Sequence, residues 1–136
     1  MNEADLIVGK LTEYFSHHSE ICGALLFGSF AKGTYNSMSD VDIGIMYNNI
    51  KDCEDFDKWL TTKNELSLLL KKEIDLVILN KAEGIILSQI LGANIKIKNT
   101  SSFYADLVMK NIYFHENFLP IIRMNQTYKI KKVLHG

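Results

Sequence analysis

Cysteine and proline are both scarce in this chain: two cysteines and one proline occur among 136 residues. Cys22 and Cys53 form no CxxC pair and are too few for a disulfide framework, so the chain reads as one made for a reducing compartment. An excess of charge of one sign is also missing. Lys and Arg number 15 against 16 Asp and Glu, a net charge of −1, without the basic excess expected of a general nucleic-acid binder. No apolar run approaches the ~20 residues needed to cross a bilayer. The acidic start Met1-Asn2-Glu3-Ala4-Asp5 lacks the basic segment and apolar stretch of a signal peptide. The reading is a cytoplasmic protein without membrane contact. Internal repeats, low-complexity segments and linkers are absent too.

What remains is an ordinary globular composition, 47% hydrophobic and 23% charged, of a length that fits one domain over residues 1–136. At this size roughly two thirds of the unfolded surface is buried on folding, so one core can carry the fold without a disulfide or structural metal. Leu6, Ile7, Leu11, Tyr14 and Phe15 recur at helical spacing from about Asp5 to Phe15. Ile21 to Phe27 is a short apolar run that stops at Gly28-Ser29 and reads as a buried strand. Phe30 to Ser39 is rich in small and turn-forming residues, with room for one short helix. Val41 to Tyr47 is a second strand, ended by Asn48-Asn49. Glu54 to Lys71, with Phe56, Trp59, Leu60, Leu66, Leu69 and Leu70, reads as a long helix, its Trp and leucines in the core. Ile74 to Leu79 is a third strand, rich in branched aliphatics. Lys81 to Leu91 reads as a helix closed by Gly92 in the left-handed conformation. Ile95 to Ile97 alternates with lysines as an edge strand does. Ser101 to Phe118 is a last helix ended by Pro120, its aromatic residues Phe103, Tyr104, Tyr113, Phe114 and Phe118 mostly in the core. The tail over 124–136 is polar and basic and reads as a solvated end. This alternation argues for an α/β (α+β) domain in which a small sheet is covered mainly on one face; its core lies at about 20–98.

Familiar phosphate and metal motifs do not fit. A P-loop needs a glycine before its lysine, whereas here Lys32 precedes Gly33-Thr34. Gly-x-Gly-x-x-Gly and HExxH are absent, and His17, His18, His115 and His135 form no ligand pattern. The informative segment is Gly28-Ser29-Phe30-Ala31-Lys32-Gly33, followed after Ser39 by Asp40-Val41-Asp42. In a strand, residues i and i+2 project from one face about 6.6 Å apart, so Asp40 and Asp42 point together while Val41 turns into the core. Adjacent carboxylates repel unless a cation lies between them, and hard oxygen ligands with room for water suit Mg²⁺. Asp75 is a third acid, set inside an otherwise apolar strand where an isolated buried carboxylate is costly. If strands two and three are neighbours, three carboxylates converge, enough for two metal ions roughly 4 Å apart, the spacing used for in-line phosphoryl displacement. Gly28 at the strand end allows close backbone approach, a following helix offers free N–H groups to an anion, and Ser29 and Lys32 add a hydroxyl and a positive charge for phosphates.

This arrangement resembles the signature of the DNA polymerase β-type nucleotidyltransferase superfamily: Gly28-Ser29, ten residues, Asp40-Val41-Asp42, then Asp75 on a later strand. The small size and the form Gly-Ser-Phe-Ala-Lys-Gly resemble the minimal nucleotidyltransferase (MNT) family. The final helix with its Phe-Leu-Pro ending resembles the antitoxin branch. The resemblance implies a nucleotidyltransferase fold with a mixed sheet of about four strands. It implies Mg²⁺ and ATP, with Asp40 and Asp42 binding both metals and Asp75 binding the catalytic metal and helping to deprotonate the acceptor hydroxyl. It also implies a HEPN-domain ribonuclease toxin as partner, neutralised by binding and, in some members, by transfer of AMP to a tyrosine. Lys32 stands where many relatives carry arginine, which keeps the charge but loses the planar fork.

Three functions fit these residues. The first is AMP transfer to a partner protein. The second is an antitoxin that acts by contact alone. The third is modification of a small molecule such as an aminoglycoside, a class that normally adds a substrate-binding domain. A free-standing minimal domain borrows its acceptor site, which favours a protein partner or a homo- or hetero-oligomer.

Overall fold

The computed structural model describes residues 2–100, 102–118 and 120–121; the basic tail lies outside them. Helix α1 (Glu3–Ser16) starts at Asn2, whose side chain accepts the Asp5 amide at 2.8 Å, satisfying one of the unpaired donors of the first turn. Its residues Ile7, Leu11 and Phe15 are buried, one face of the helix repeating every four residues. Strand β1 (Ile21–Phe27) leads without a loop into the short helix α2 (Gly28–Lys32), which Gly33 closes in the left-handed region at φ 76°. Strand β2 (Val41–Tyr47) is followed by a 3₁₀ turn over Ile50–Glu54 and by helix α3 (Phe56–Leu70). Strand β3 (Ile74–Ile78), helix α4 (Gly84–Gly92), strand β4 (Asn94–Asn99) and helix α5 (Phe103–Asn117) complete the order.

The four strands form one mixed sheet in the order β3-β2-β1-β4. Strand β1 pairs antiparallel with both β2 and β4, and β2 pairs parallel with β3. The period-two alternation of β2 sets the layers. Val41, Ile43, Ile45 and Tyr47 are buried and share a cluster with Ala24 and Leu26 of β1 and with Ile7, Leu11, Phe15, Leu66 and Leu70 of α1 and α3. The opposite parity carries Leu25 of β1, which clusters with Leu79, Leu87, Ile90, Phe103 and Leu107 from the β3 end, α4 and α5. Each fully buried Leu, Ile or Phe contributes roughly 1.5–3 kcal/mol of transfer free energy.

The sheet is thus covered on both faces, where the sequence predicts mainly one-sided cover. The apolar stripes of α4 and α5 do not reveal which side of the sheet they occupy. The second layer is held close by two glycines: a Cβ on Gly44 would come within 2.7 Å of Leu79, and one on Gly23 would strike the Phe103 ring. That layer leaves Asp75 exposed.

Several local expectations also change. The stretch before α3 is a 3₁₀ turn that buries Cys53 to 5% exposure, so this thiol is a core group despite its acidic neighbours. In the long helix Leu66 and Leu70 are buried, while Phe56 and Leu60 are exposed. Helix α4 begins at Gly84, because residues after β3 first turn through backbone bonds Lys81 N to Ile78 O (3.1 Å) and Ala82 N to Leu79 O (3.2 Å). Gly92 is the last helical residue and not a left-handed cap; extended Ala93 alone joins α4 to β4, leaving no length for a capping turn. Helix α5 ends with Phe118 as its C-cap, before Pro120. Of its aromatic residues only Phe103 is buried; Tyr113 and Phe118 are exposed. No helix among the described residues is long and apolar enough to cross a membrane.

Candidate active site

In parallel β2–β3 pairing, Asp42 stands directly opposite Asp75. The register is pinned just before it, where the Val41 amide donates to the Glu73 carbonyl at 3.0 Å. With equal parity on neighbouring strands, both carboxylates leave the sheet from one face. The Asp42 carboxyl is pushed up to about 6 by burial, then by the charge of Asp75 and a hydrogen bond shared with it, then by the charge of Asp40. The sequence alone makes Asp75 a buried acid in need of a partner. It is instead exposed, so its position is set by register and not by a desolvation constraint.

Strand β1 delivers the second component. Phe27 pairs with Asp42, and the next residue, Gly28, has φ 69°. A Cβ at Gly28 would overlap the Asp42 carboxylate. The freedom of glycine is used twice here, for the left-handed backbone and for the close approach to an acid. Sequence reasoning assigns that closeness to a ligand; the group that occupies it is Asp42. Ser29 follows, half-buried, in the first turn of α2, and its carbonyl accepts the Thr34 amide at 3.0 Å. Lys32, exposed, ends the helix.

The segment from Gly33 to Asp40 is a built turn. Asn36 accepts the Met38 amide at 2.8 Å through its side chain, and Ser39 Oγ accepts the Asn36 amide at 2.9 Å. Tyr35 stacks on Phe30 with ring centroids 4.4 Å apart. Lys72 ties this turn down from just beyond α3: its ammonium donates to the Ser37 carbonyl at 3.2 Å, pairs with Glu3 at 3.1 Å and lies 5.7 Å from the centre of the Phe30 ring. Sequence reasoning misses Lys72, and no local motif marks it. Asp40 is exposed at the end of this turn, one residue before β2.

A cleft of about 520 Å³ opens beside Gly28 and Asp42, lined further by Phe27, Lys32, Ile86, Gln89, Ile90, Gly92 and Ala93. Its α4 wall is also missed by the sequence reading. Ile86, Gln89, Ile90 and Ala93 follow helical spacing, but nothing in that spacing tells which face meets the acids. Gly28, Asp42 and Lys32 meet the cleft directly; Ser29, Asp40 and Asp75 do not line it. Among the described residues, no group of three or more His, Cys, Asp or Glu side chains is arranged to hold a metal ion by itself.

Solved structures of the same fold exist. A toxin–antitoxin complex with AMP-PNP aligns at TM-score 0.69 and 21% identity, covering 98% of this chain and 99% of that one. A mutant MntA–HpeT toxin–antitoxin pair aligns at 0.69 and 20% identity, with the same shares covered. An MNT antitoxin complex with a tri-AMPylated Shewanella oneidensis HEPN toxin aligns at 0.68 and 17% identity, covering 96% and 98%. No curated protein matches the chain by sequence. The family model described as polymerase beta, nucleotidyltransferase, matches residues 9–103, a span that contains β1 to β4, the Gly28-Ser29 corner and all three acids. The chain belongs to the polymerase β nucleotidyltransferase family.

Proposed function

We propose that this protein is a magnesium-dependent nucleotidyltransferase that moves AMP from ATP onto a tyrosine hydroxyl of a HEPN-type toxin, and so acts as its antitoxin. The observation that carries this reading is the register pairing of Asp42 with Asp75 beside Gly28 at the edge of the cleft. The choice of a protein acceptor rests on the solved relatives of this fold, one a toxin–antitoxin with AMP-PNP and one with a tri-AMPylated HEPN toxin.

The donor set fits magnesium. Mg²⁺ is commonly held by one or two carboxylates together with substrate phosphates and water, so an all-protein cage is not required. Asp40, Asp42 and Asp75 would hold two ions together with the triphosphate, and the metal would supply neutralisation of the charge on the transferring phosphoryl group. The remaining work falls to the chain. Gly28 and Lys32 line the cleft; the first-turn amides of α2 and the adjoining Ser29 hydroxyl would meet donor phosphates there, and Lys32 would offset their charge. Asp75, exposed and opposite Asp42, takes the proton of the acceptor hydroxyl. The hydroxyl oxygen bonds to the α-phosphorus, the bond to the β-phosphate oxygen breaks, and pyrophosphate leaves.

Incubation with labelled ATP, Mg²⁺ and the product of the adjacent reading frame tests this. Label is expected on that product and lost with Asp42→Asn. Neutralisation of the product without label would replace catalysis by contact alone. Label on an aminoglycoside would replace the protein acceptor by a small molecule.

A further inference from the structure

The cleft beside Asp42 has a wall whose chemistry the phosphate and metal residues do not use. It is formed by α4, which presents Ile86, Gln89 and Ile90 to the same space as Gly28, Asp42 and Lys32. A volume of about 520 Å³ lies within the ordinary range for a small-molecule pocket and exceeds what phosphates need. Phosphate oxygens call for amides and cations, and those stand on the α2 side. The α4 side offers apolar surface with one amide, a lining suited to a flat heterocycle.

Two other polar side chains of this segment, Ser88 and Asn94, are already engaged. Ser88 Oγ bonds Asn111 at 2.6 Å and His115 at 2.9 Å. The Asn94 amide donates to the Ile90 carbonyl at 3.2 Å and to the Tyr104 hydroxyl at 3.1 Å. Gln89 is exposed and lies in the lining, and its amide holds no hydrogen bond among the described residues. It carries a donor and an acceptor side by side. That pair matches the 6-amino group of adenine and a neighbouring ring nitrogen, the two-point contact by which glutamine reads adenine.

Resting on the nucleotidyltransferase reading above, we propose that Gln89 reads the base of the donor nucleotide, its amide pairing with adenine while the ring lies against Ile86. The amide accepts from the adenine amino hydrogen and donates to the ring nitrogen. A carboxylate at 89 could only accept. It would repel the adenine ring nitrogen and suit the two adjacent N–H donors of guanine. Gln89 is therefore a specificity residue, separate from the acids and from the Gly28-Ser29 corner.

The test is calorimetric binding of ATP and of GTP, each with Mg²⁺ and without any acceptor, to the full chain and to Gln89→Leu and Gln89→Glu. Position 89 is exposed, and melting curves of both variants are recorded alongside. The unsubstituted protein is expected to favour ATP over GTP by about tenfold, the scale of one two-point base contact. Gln89→Leu is expected to weaken ATP by a similar factor with GTP little changed, and Gln89→Glu to reverse the preference. An ATP-to-GTP ratio that stays the same in both folded variants overturns the inference and leaves nucleotide transfer standing. The inference also falls if both variants bind ATP as tightly as the parent does, since position 89 then does not touch the base. Failure of the unsubstituted protein to bind either nucleotide overturns the nucleotidyltransferase reading and this inference with it.

Discussion

The Asp42 carboxyl is raised from 3.8 to about 6 by burial and by the charges of Asp75 and Asp40. Between roughly pH 4 and 6 the folded chain therefore holds a proton that the unfolded chain has released, and stability declines as pH rises through that window. Without a cation, ionised Asp42 thus works against the fold. A rise of this size corresponds to about 3 kcal/mol in full burial, and solvent screening at this partly open position reduces that to about 1 kcal/mol. Asp42→Asn is expected to raise the melting temperature above pH 6 in EDTA and to flatten its decline between pH 4 and 6, while lowering transfer roughly a hundredfold or more. A melting curve for Asp42→Asn that tracks the parent at every pH would show the repulsion to be absent. Gly28→Ala is expected to fail on both counts, because φ 69° and the Asp42 carboxylate leave no place for a methyl group. A cost of roughly 1–3 kcal/mol together with loss of labelling is the predicted outcome, read by denaturant unfolding and the ATP assay.

At the scale of elements, the β2–β3 pairing is the joint on which the acids depend. Its far end is continued by a side chain: the Tyr47 amide donates to Asn80 Oδ1 at 2.9 Å, and Asn80 Nδ2 donates to the Tyr47 carbonyl at 3.0 Å. The edge of β3 is in turn covered by Trp59, whose indole N–H donates to the Leu76 carbonyl at 3.1 Å. Asn80→Ala is expected to cost about 1–3 kcal/mol, since Tyr47 is buried and its backbone groups lose their partner. Amide hydrogen exchange should then speed up along β3 more than along β1; equal change in both strands would refute the assignment of Asn80 to this joint. The strands themselves are legible from apolar runs ended by Gly28-Ser29 and Asn48-Asn49, because hydrophobic alternation and turn residues act locally. The start of α4 is not. Glu83 makes no side-chain cap, so the boundary depends on how residues after β3 turn back over the sheet.

For the whole molecule, two apolar clusters share one sheet, α1 and α3 against one face and α4 and α5 against the other. Since β1 and β2 contribute to both layers, neither layer can be lost without exposing the strands of the other. Unfolding is therefore expected to be a single transition, with fluorescence of Trp59, the one tryptophan, and far-UV circular dichroism melting together. Two separated transitions would contradict it. Gly23→Ala, which drives a methyl group into Phe103, should lower the midpoint of both signals at once. The sequence by itself determined the alternation of helix and strand, the corner at Gly28-Ser29 and the spacing of Asp40 and Asp42, because turn chemistry and strand parity are fixed within a few residues. Only the tertiary structure decided that Asp75 pairs with Asp42, that Lys72 anchors the turn before Asp40, and that α4 brings Gln89 to the same cleft. Those contacts join segments far apart along the chain, and packing of the complete sheet and its two layers selects them.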